Sequence, residues 1–326
     1  MKNLLYFSFI ALLFVACKNE TSVEPKTVVF DGIDQSIRPG DDFFNHVNKN
    51  WVEAAVIEDD QVGVGSYHYL NIPQKKLLQN ILEELSTGMH PEGSNEQKVG
   101  DFYASGMDTI AINQLGFEPI QPVLDHIEAI QDVPSMMAFV AEQLKAGDYS
   151  IIYPYVSPDQ ANSKINIAHF MQIGLGLPDR DYYFRKDSTA VGIQNAYKNY
   201  VATLFELIGD ADAAKHAGTV YDIERQLAES HKTRIERRDV QANYHKLPVS
   251  ELNENFKNIG WMALLSDLGI RADSVNIGQL AYYKKLDTML GSVELANWKT
   301  YLKANSIILQ STDAAIVLEI EDDNRK

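Results

Sequence analysis

Eight histidines are the residues of this chain best suited to hold a metal ion: His46, His68, His90, His126, His169, His216, His231 and His245. Zinc-assisted hydrolysis of a peptide bond needs two imidazoles one helical turn apart. A carboxylate beside them must take a proton from the metal-bound water. None of the eight has a second histidine four residues away, and none opens a His-Glu-x-x-His. Asp125-His126-x-Glu128 is the closest acidic setting, but residues two apart on a helix point to different faces. His231 follows Glu224 and Glu229 in a charged stretch that reads as a solvated helix face. No metal ligand is assigned.

Other reaction centres are equally absent from the residue pattern. The one cysteine, Cys17, lies in an export signal, which leaves no thiol nucleophile elsewhere. No serine sits in a Gly-x-Ser-x-Gly elbow. Gly63-x-Gly65 and Gly174-x-Gly176 lack the Lys-Ser/Thr of a phosphate loop. Glu83-Glu84 reads as an exposed pair with no cause for a shifted pKa. No catalytic residue is assigned. The net charge of -16 argues against nucleic acid as a partner, because phosphate binding needs a surplus of Lys and Arg to displace counterions.

The N-terminus reads as an export signal. Lys2 precedes an apolar run from Leu4 to Ala16, too short for a bilayer span, and Val15-Ala16-Cys17 is similar to a bacterial lipobox. Residues 1–16 are thus expected to be a lipoprotein signal peptide and Cys17 to be acylated, placing an exported protein at the cell-envelope membrane. A plain secretory signal with an incidental cysteine is the alternative. Residues 17–40 hold Pro25, Pro39 and Gly40 and read as a polar tether.

Helical patterns follow. Asp41 and Asp42 suit a helix N-terminus, and Phe43, Phe44, Val47 and Trp51 make an apolar stripe read as core aromatics and their neighbours. Further helices are predicted over 73–86, 95–106, 119–130, 134–146, 187–208, 211–238, 248–257, 260–268, 279–290 and 292–303. Gly88, Gly116 and Gly147 stand at stops, and Pro119 and Pro134 in first turns. Tyr149–Val156 and Lys164–Ile173 are rich in Ile, Tyr and Val and predict a β-hairpin with a long loop, Ser157–Ser163. The predicted fold is mainly α with a small β-hairpin element.

Several segments together resemble the N-terminal region of the neprilysin-like family of zinc metallopeptidases. They are Pro39-Gly-Asp41-Asp42-Phe43-Phe44 with Trp51, Lys98-Val-Gly-Asp101-Phe102-Tyr103, and Leu115-Gly-Phe-Glu-Pro119. The most specific is Gly174-Leu-Gly176-Leu-Pro178-Asp179-Arg180-Asp181-Tyr182-Tyr183. Glu224-x-Gln226-Leu227-Ala228, Glu236-Arg237-Arg238-Asp239 and Trp298-Lys-x-Tyr301-Leu302 continue in the family's order. In the 174–183 segment the glycines permit a tight turn, Pro178 stiffens it, and Arg180 lies between two aspartates as a ready ion partner. That segment reads as architecture.

The resemblance implies a bacterial family member with two lobes around a closed chamber. It makes residues 41–303 an incomplete gating lobe and residues 304–326 a divergent tail. Zinc is implied in the intact enzyme, on residues of a second lobe, and none is expected on this chain. Peptides are the implied substrates and the chain alone is predicted inactive; a complementing half, whose zinc lobe a separately encoded chain supplies, is an alternative reading. The family often carries an arginine that meets a peptide's C-terminal carboxylate where this chain has Gly63-Val64-Gly65. A premature end to the reading frame is expected, because the match fades after Leu302. The alternative is a helical peptide- or glycan-binding surface lipoprotein without catalysis.

Overall fold

A computed structural model of the chain describes residues 32–57, 61 and 63–311. The export signal, Cys17 and the apolar run Ala314–Leu318 lie outside the described residues. The chain divides into two compact units, residues 1–85 and 86–326.

In the first unit, helix α1 spans Phe43–Ala54, and the Asp42 carboxylate caps it by accepting from the Asn45 N–H. Helix α2 spans Ser66–Thr87 and begins seven residues ahead of Pro73, which sits inside it. Residues 32–40 are not a free tether. Lys49 pairs with Asp34 at 2.9 Å, and Nδ1 of His46 donates to the carbonyl of Ile37 at 2.6 Å. Neither α1 nor α2 buries a residue. Phe43 is 68% exposed and Phe44 62%, and Trp51 meets Tyr69 edge-on at 6.3 Å. The expectation of core aromatics is corrected here: the described part of this unit has no third element to cover the stripe.

The second unit opens with α3 (Asn95–Met107) and α4 (Thr109–Leu115), the latter absent from the sequence prediction. After a single 3-10 turn, Glu118–Ile120, come α5 (Gln121–Ala129) and α6 (Val133–Ala146). Asp132 and Ser135 form a reciprocal capping box at the start of α6, and Gly147 ends it at φ +97°. Strands β1 (Tyr153–Asp159) and β2 (Asn162–Met171) make the hairpin. Its turn is two residues long, not seven. The buried Asp159 carboxylate accepts from the Ala161 N–H, the Tyr244 hydroxyl and the Lys246 ammonium, which fixes the strands close to their turn.

Next come a one-turn helix α7 (Asp181–Phe184), α8 (Ser188–Leu207) and α9 (Ala213–Ala228). Two 3-10 turns, Glu236–Arg238 and Gln241–Asn243, lead to β3 (Lys246–Pro248), α10 (Val249–Asn255) and α11 (Trp261–Asp267). Then follow β4 (Ser274–Ile277), α12 (Leu280–Ser292) and α13 (Leu295–Ser311). The hairpin is half of a mixed sheet ordered β1-β2-β4-β3, in which β2 and β4 run parallel and the other pairs antiparallel. The α13 helix runs through the boundary at residue 303, with Ala304 and Ile307 buried.

Helix α8 packs along α9, and α9 packs on α13. Between these helices and the sheet lies an aromatic core. Phe170 meets Trp261 edge-on at 4.9 Å, and Tyr282 meets Tyr283 at 5.0 Å. Three buried tyrosine hydroxyls end on backbone carbonyls: Tyr282 on Ile151 at 2.7 Å, Tyr283 on Met171 at 3.0 Å, Tyr301 on Gly174 at 3.1 Å. These bonds tie α12 and α13 to the chain entering and leaving the hairpin. Among the described residues no helix is long and apolar enough to cross a membrane.

Candidate functional site

The segment from Gly174 to Tyr183 wraps around one buried carboxyl, that of Glu224. Helix α9 presents a stripe of Val220, Ile223, Glu224, Leu227 and Ala228 to the core, so an acid occupies an apolar position. The Tyr197 hydroxyl donates to Oε1 of Glu224 at 2.7 Å and the Tyr183 hydroxyl donates to Oε2 at 2.8 Å. Tyr183 also accepts the Leu177 N–H at 3.0 Å, which pins the segment to α7. Burial pushes the Glu224 carboxyl up to about 7. The two phenols and the Gly176 N–H pull the other way. Both phenols are themselves pushed far above the ordinary tyrosine value, mainly by burial.

The two glycines are required by contact. A Cβ at Gly176 would fall 1.9 Å from the Tyr197 hydroxyl. One at Gly174, whose φ is +94°, would meet the Tyr301 hydroxyl at 2.9 Å and the Ser150 carbonyl at 3.1 Å. Asp179 accepts the Asp181 N–H at 2.9 Å and so shapes the start of α7. Arg180 lies 3.4 Å from Asp181, donates to the Ala228 carbonyl at 3.3 Å and sits over the Phe184 ring. The Tyr182 carbonyl accepts from Gln194 at 2.7 Å. Glu224 is 2% exposed and closed in by its partners, so it can hold this segment but has no path to a substrate.

His231 is corrected from a solvated position to a buried one, 8% exposed and edge-on to Tyr282 at 5.0 Å. Burial, with the Arg237 and Arg180 charges nearby, pushes its imidazole down to about 4. The long helix predicted over 211–238 stops at Ala228, because buried side chains hold the next residues in another shape. Gln172 clamps the Lys232 backbone, accepting its N–H at 2.8 Å and donating to its carbonyl at 3.0 Å. Lys232 Nζ donates to Asn243 Oδ1 at 3.0 Å, and Gln279 Nε2 donates to the same oxygen at 2.9 Å. Asn243 in turn donates to the Glu236 carbonyl at 2.9 Å. Asn276 bridges His169 on β2 and the His245 N–H just ahead of β3.

The residues present do not fit zinc. Among the described residues no group of three or more His, Cys, Asp or Glu could hold a metal ion. Three of the imidazoles each face a different partner: His126 faces Glu142 at 3.5 Å, His216 Asp210 at 2.6 Å, and His245 the Ile277 carbonyl at 3.1 Å.

Of the other residues singled out by sequence, Asp41, Asp101 and Phe102 are exposed and Tyr103 is half-buried. Asp42 and Asp239 cap local turns, while Arg237 and Arg238 point to solvent. Leu177 and Tyr183 are buried, while Pro178 between them is exposed. Sequence reasoning missed Glu224 and Tyr197 as partners and the Gln172–Lys232–Asn243–Gln279 network. For Glu224 the signal was present: it lies four residues after Val220 and three before Leu227, on the stripe that α9 buries.

The N-terminal model of Peptidase family M13 matches residues 39–315. Endothelin-converting enzyme 1 of Cavia porcellus is 23% identical over 95% of this chain and 42% of its own length. Endothelin-converting enzyme-like 1 of Mus musculus is 27% identical over 72% and 32%. A crystal structure of the Mycobacterium tuberculosis zinc metalloprotease Zmp1 with an inhibitor superposes with a TM-score of 0.82 at 27% identity. That superposition covers 90% of this chain and 45% of Zmp1. PepO of Lactobacillus rhamnosis, at 19% identity and a TM-score of 0.70 over 85% of this chain and 44% of PepO, shares the fold. The chain spans about two-fifths of the length of the curated relatives it matches at greatest coverage.

Proposed function

The chain belongs to Peptidase family M13, as its N-terminal region, and from that premise we propose that it is the non-catalytic lobe of a neprilysin-like zinc metalloendopeptidase. In this reading it forms a wall of the chamber that admits peptides and contributes no group to hydrolysis. One observation carries it: eight histidines with no pair one helical turn apart. The zinc ligands of the intact enzyme then come from polypeptide outside these 326 residues, in the same chain or another.

The interior supports a wall more than a reaction centre. Its strongest polar interactions, at Glu224 and at Asn243, are spent on fixing backbone and on satisfying buried groups. The lipobox-like Val15-Ala16-Cys17 supports the further proposal that the lobe is exported and held at a membrane by acyl chains on Cys17.

Equilibrium dialysis of the purified chain against zinc tests the assignment. The expected result is no zinc retained in a fixed ratio to protein. One tightly held zinc per chain overturns it.

A further inference from the structure

In a chain of net charge -16, residues 232–238 are a local exception, with Lys232, Arg234, Arg237 and Arg238 against a single acid, Glu236. The stretch turns tightly into the 3-10 turn Glu236–Arg238, with the Arg237 N–H reaching the Thr233 carbonyl at 3.0 Å and the Arg238 N–H that of Ile235. Arg234 and Arg237, three residues apart, lie on one side of this turn, and Arg238 adjoins them. Like charges at that spacing repel. The nearest acids do not relieve them. Glu236, itself exposed, accepts from the N–H and hydroxyl of Thr233, both at 2.8 Å, and Asp239 accepts the Ala242 N–H at 2.9 Å. Among the described residues none of the three arginines stands in a salt bridge.

Two apolar side chains of the same stretch stand in the open, Ile235 at 79% exposed and Val240 at 57%. The turn is not a loose excursion, because the Gln172–Lys232–Asn243–Gln279 network fixes both of its ends. A fixed turn that carries three guanidinium groups outside any salt bridge and two exposed aliphatic residues is complementary to carboxylates interspersed with apolar side chains.

We infer that the Arg234–Arg237–Arg238 face is a docking surface for acidic peptide segments with interspersed apolar residues. This rests on the reading of the chain as a peptide-facing lobe and narrows the peptides it favours. The overall negative charge of the chain sets nucleic acid aside, since its phosphates would meet a repulsive field beyond this small face.

The full chain is titrated against a labelled short peptide alternating glutamate and leucine, its lysine–leucine counterpart and a single-stranded oligonucleotide. The glutamate peptide binds tightest, and its affinity falls steeply from about 0.05 to about 0.5 M salt. The triple variant Arg234→Gln, Arg237→Gln, Arg238→Gln weakens it about tenfold with an unchanged circular dichroism spectrum. The control Lys145→Gln, Lys257→Gln, Lys284→Gln carries the same change in net charge and keeps the affinity within about twofold. Equal binding of the two peptides, tighter binding of the oligonucleotide, or equal losses in the two triple variants overturns the inference. Hydrolysis plays no part in this readout. A chain that cleaved peptides would overturn the proposed function and leave the docking surface standing.

Discussion

The hydroxyl of Tyr197 lies 2.7 Å from Oε1 of Glu224 and fills the space that a side chain on residue 176 would need. A single contact thus links α8, α9 and the Gly174–Tyr183 segment, and it makes the middle glycine a steric requirement.

Replacing Gly176 with Ala should destabilise the fold by about 2–3 kcal/mol, as overpacking of a filled core does. Adding Tyr197→Leu in that background should restore part of the loss, because it removes the clashing ring. Urea unfolding of the two single variants and the double variant measures this. Strict additivity of the two single effects would contradict the contact.

Glu224 should make the fold less stable as pH rises. Its folded value, about 7, stands above the ordinary 4.5, so folding favours the protonated form. That contribution is full below about pH 4.5 and is lost as pH rises through about 7. Wild type and Glu224→Gln, unfolded in urea across this window, should diverge, with the wild type losing stability relative to the variant. Parallel curves would place the Glu224 carboxyl near its ordinary value.

His231 should act with the opposite sign in an overlapping window. Its imidazole is held at about 4 in the fold against an ordinary 6.5, so the unfolded chain takes up the proton first. The stability it contributes is full above about pH 6.5 and is lost as pH falls through about 4. His231→Gln should flatten the acid-side loss relative to wild type. Equal acid-side slopes would show that the buried imidazole protonates freely.

Much of the helical frame was legible in the sequence, and the exceptions share a cause. Met136, Met137, Val140 and Leu144 recur at helical spacing, are buried, and mark α6 almost to the residue. Strand β4 is four residues, Ser274–Ile277, and its partners begin at His169 and Lys246, so no local pattern announces it. The stretch after Ala228 has the composition of a solvated helix, yet Gln172 and Gln279, distant in sequence, hold it in turns. Local propensity was overridden there by buried hydrogen bonds formed across the fold. The Phe43–Trp51 stripe fails for the converse reason: the amphipathic pattern is present, but what would cover it is not among the described residues of its unit.

Cys17 should decide the membrane attachment. Replacing it with Ser removes the site of the proposed acyl chains, which stable anchoring would require. Fractionation should then show the protein moving from the membrane to the soluble fraction, or accumulating with its signal uncleaved. An unchanged distribution would leave the apolar run before Cys17 as a plain export signal.

Turnover of a mixed peptide library by the purified chain, with and without added zinc and a chelator, tests most directly that this lobe does no chemistry of its own. The expected result is no product above background in any condition, because no imidazole pair is placed to hold the ion. Chelator-sensitive cleavage that persists through repurification would contradict it.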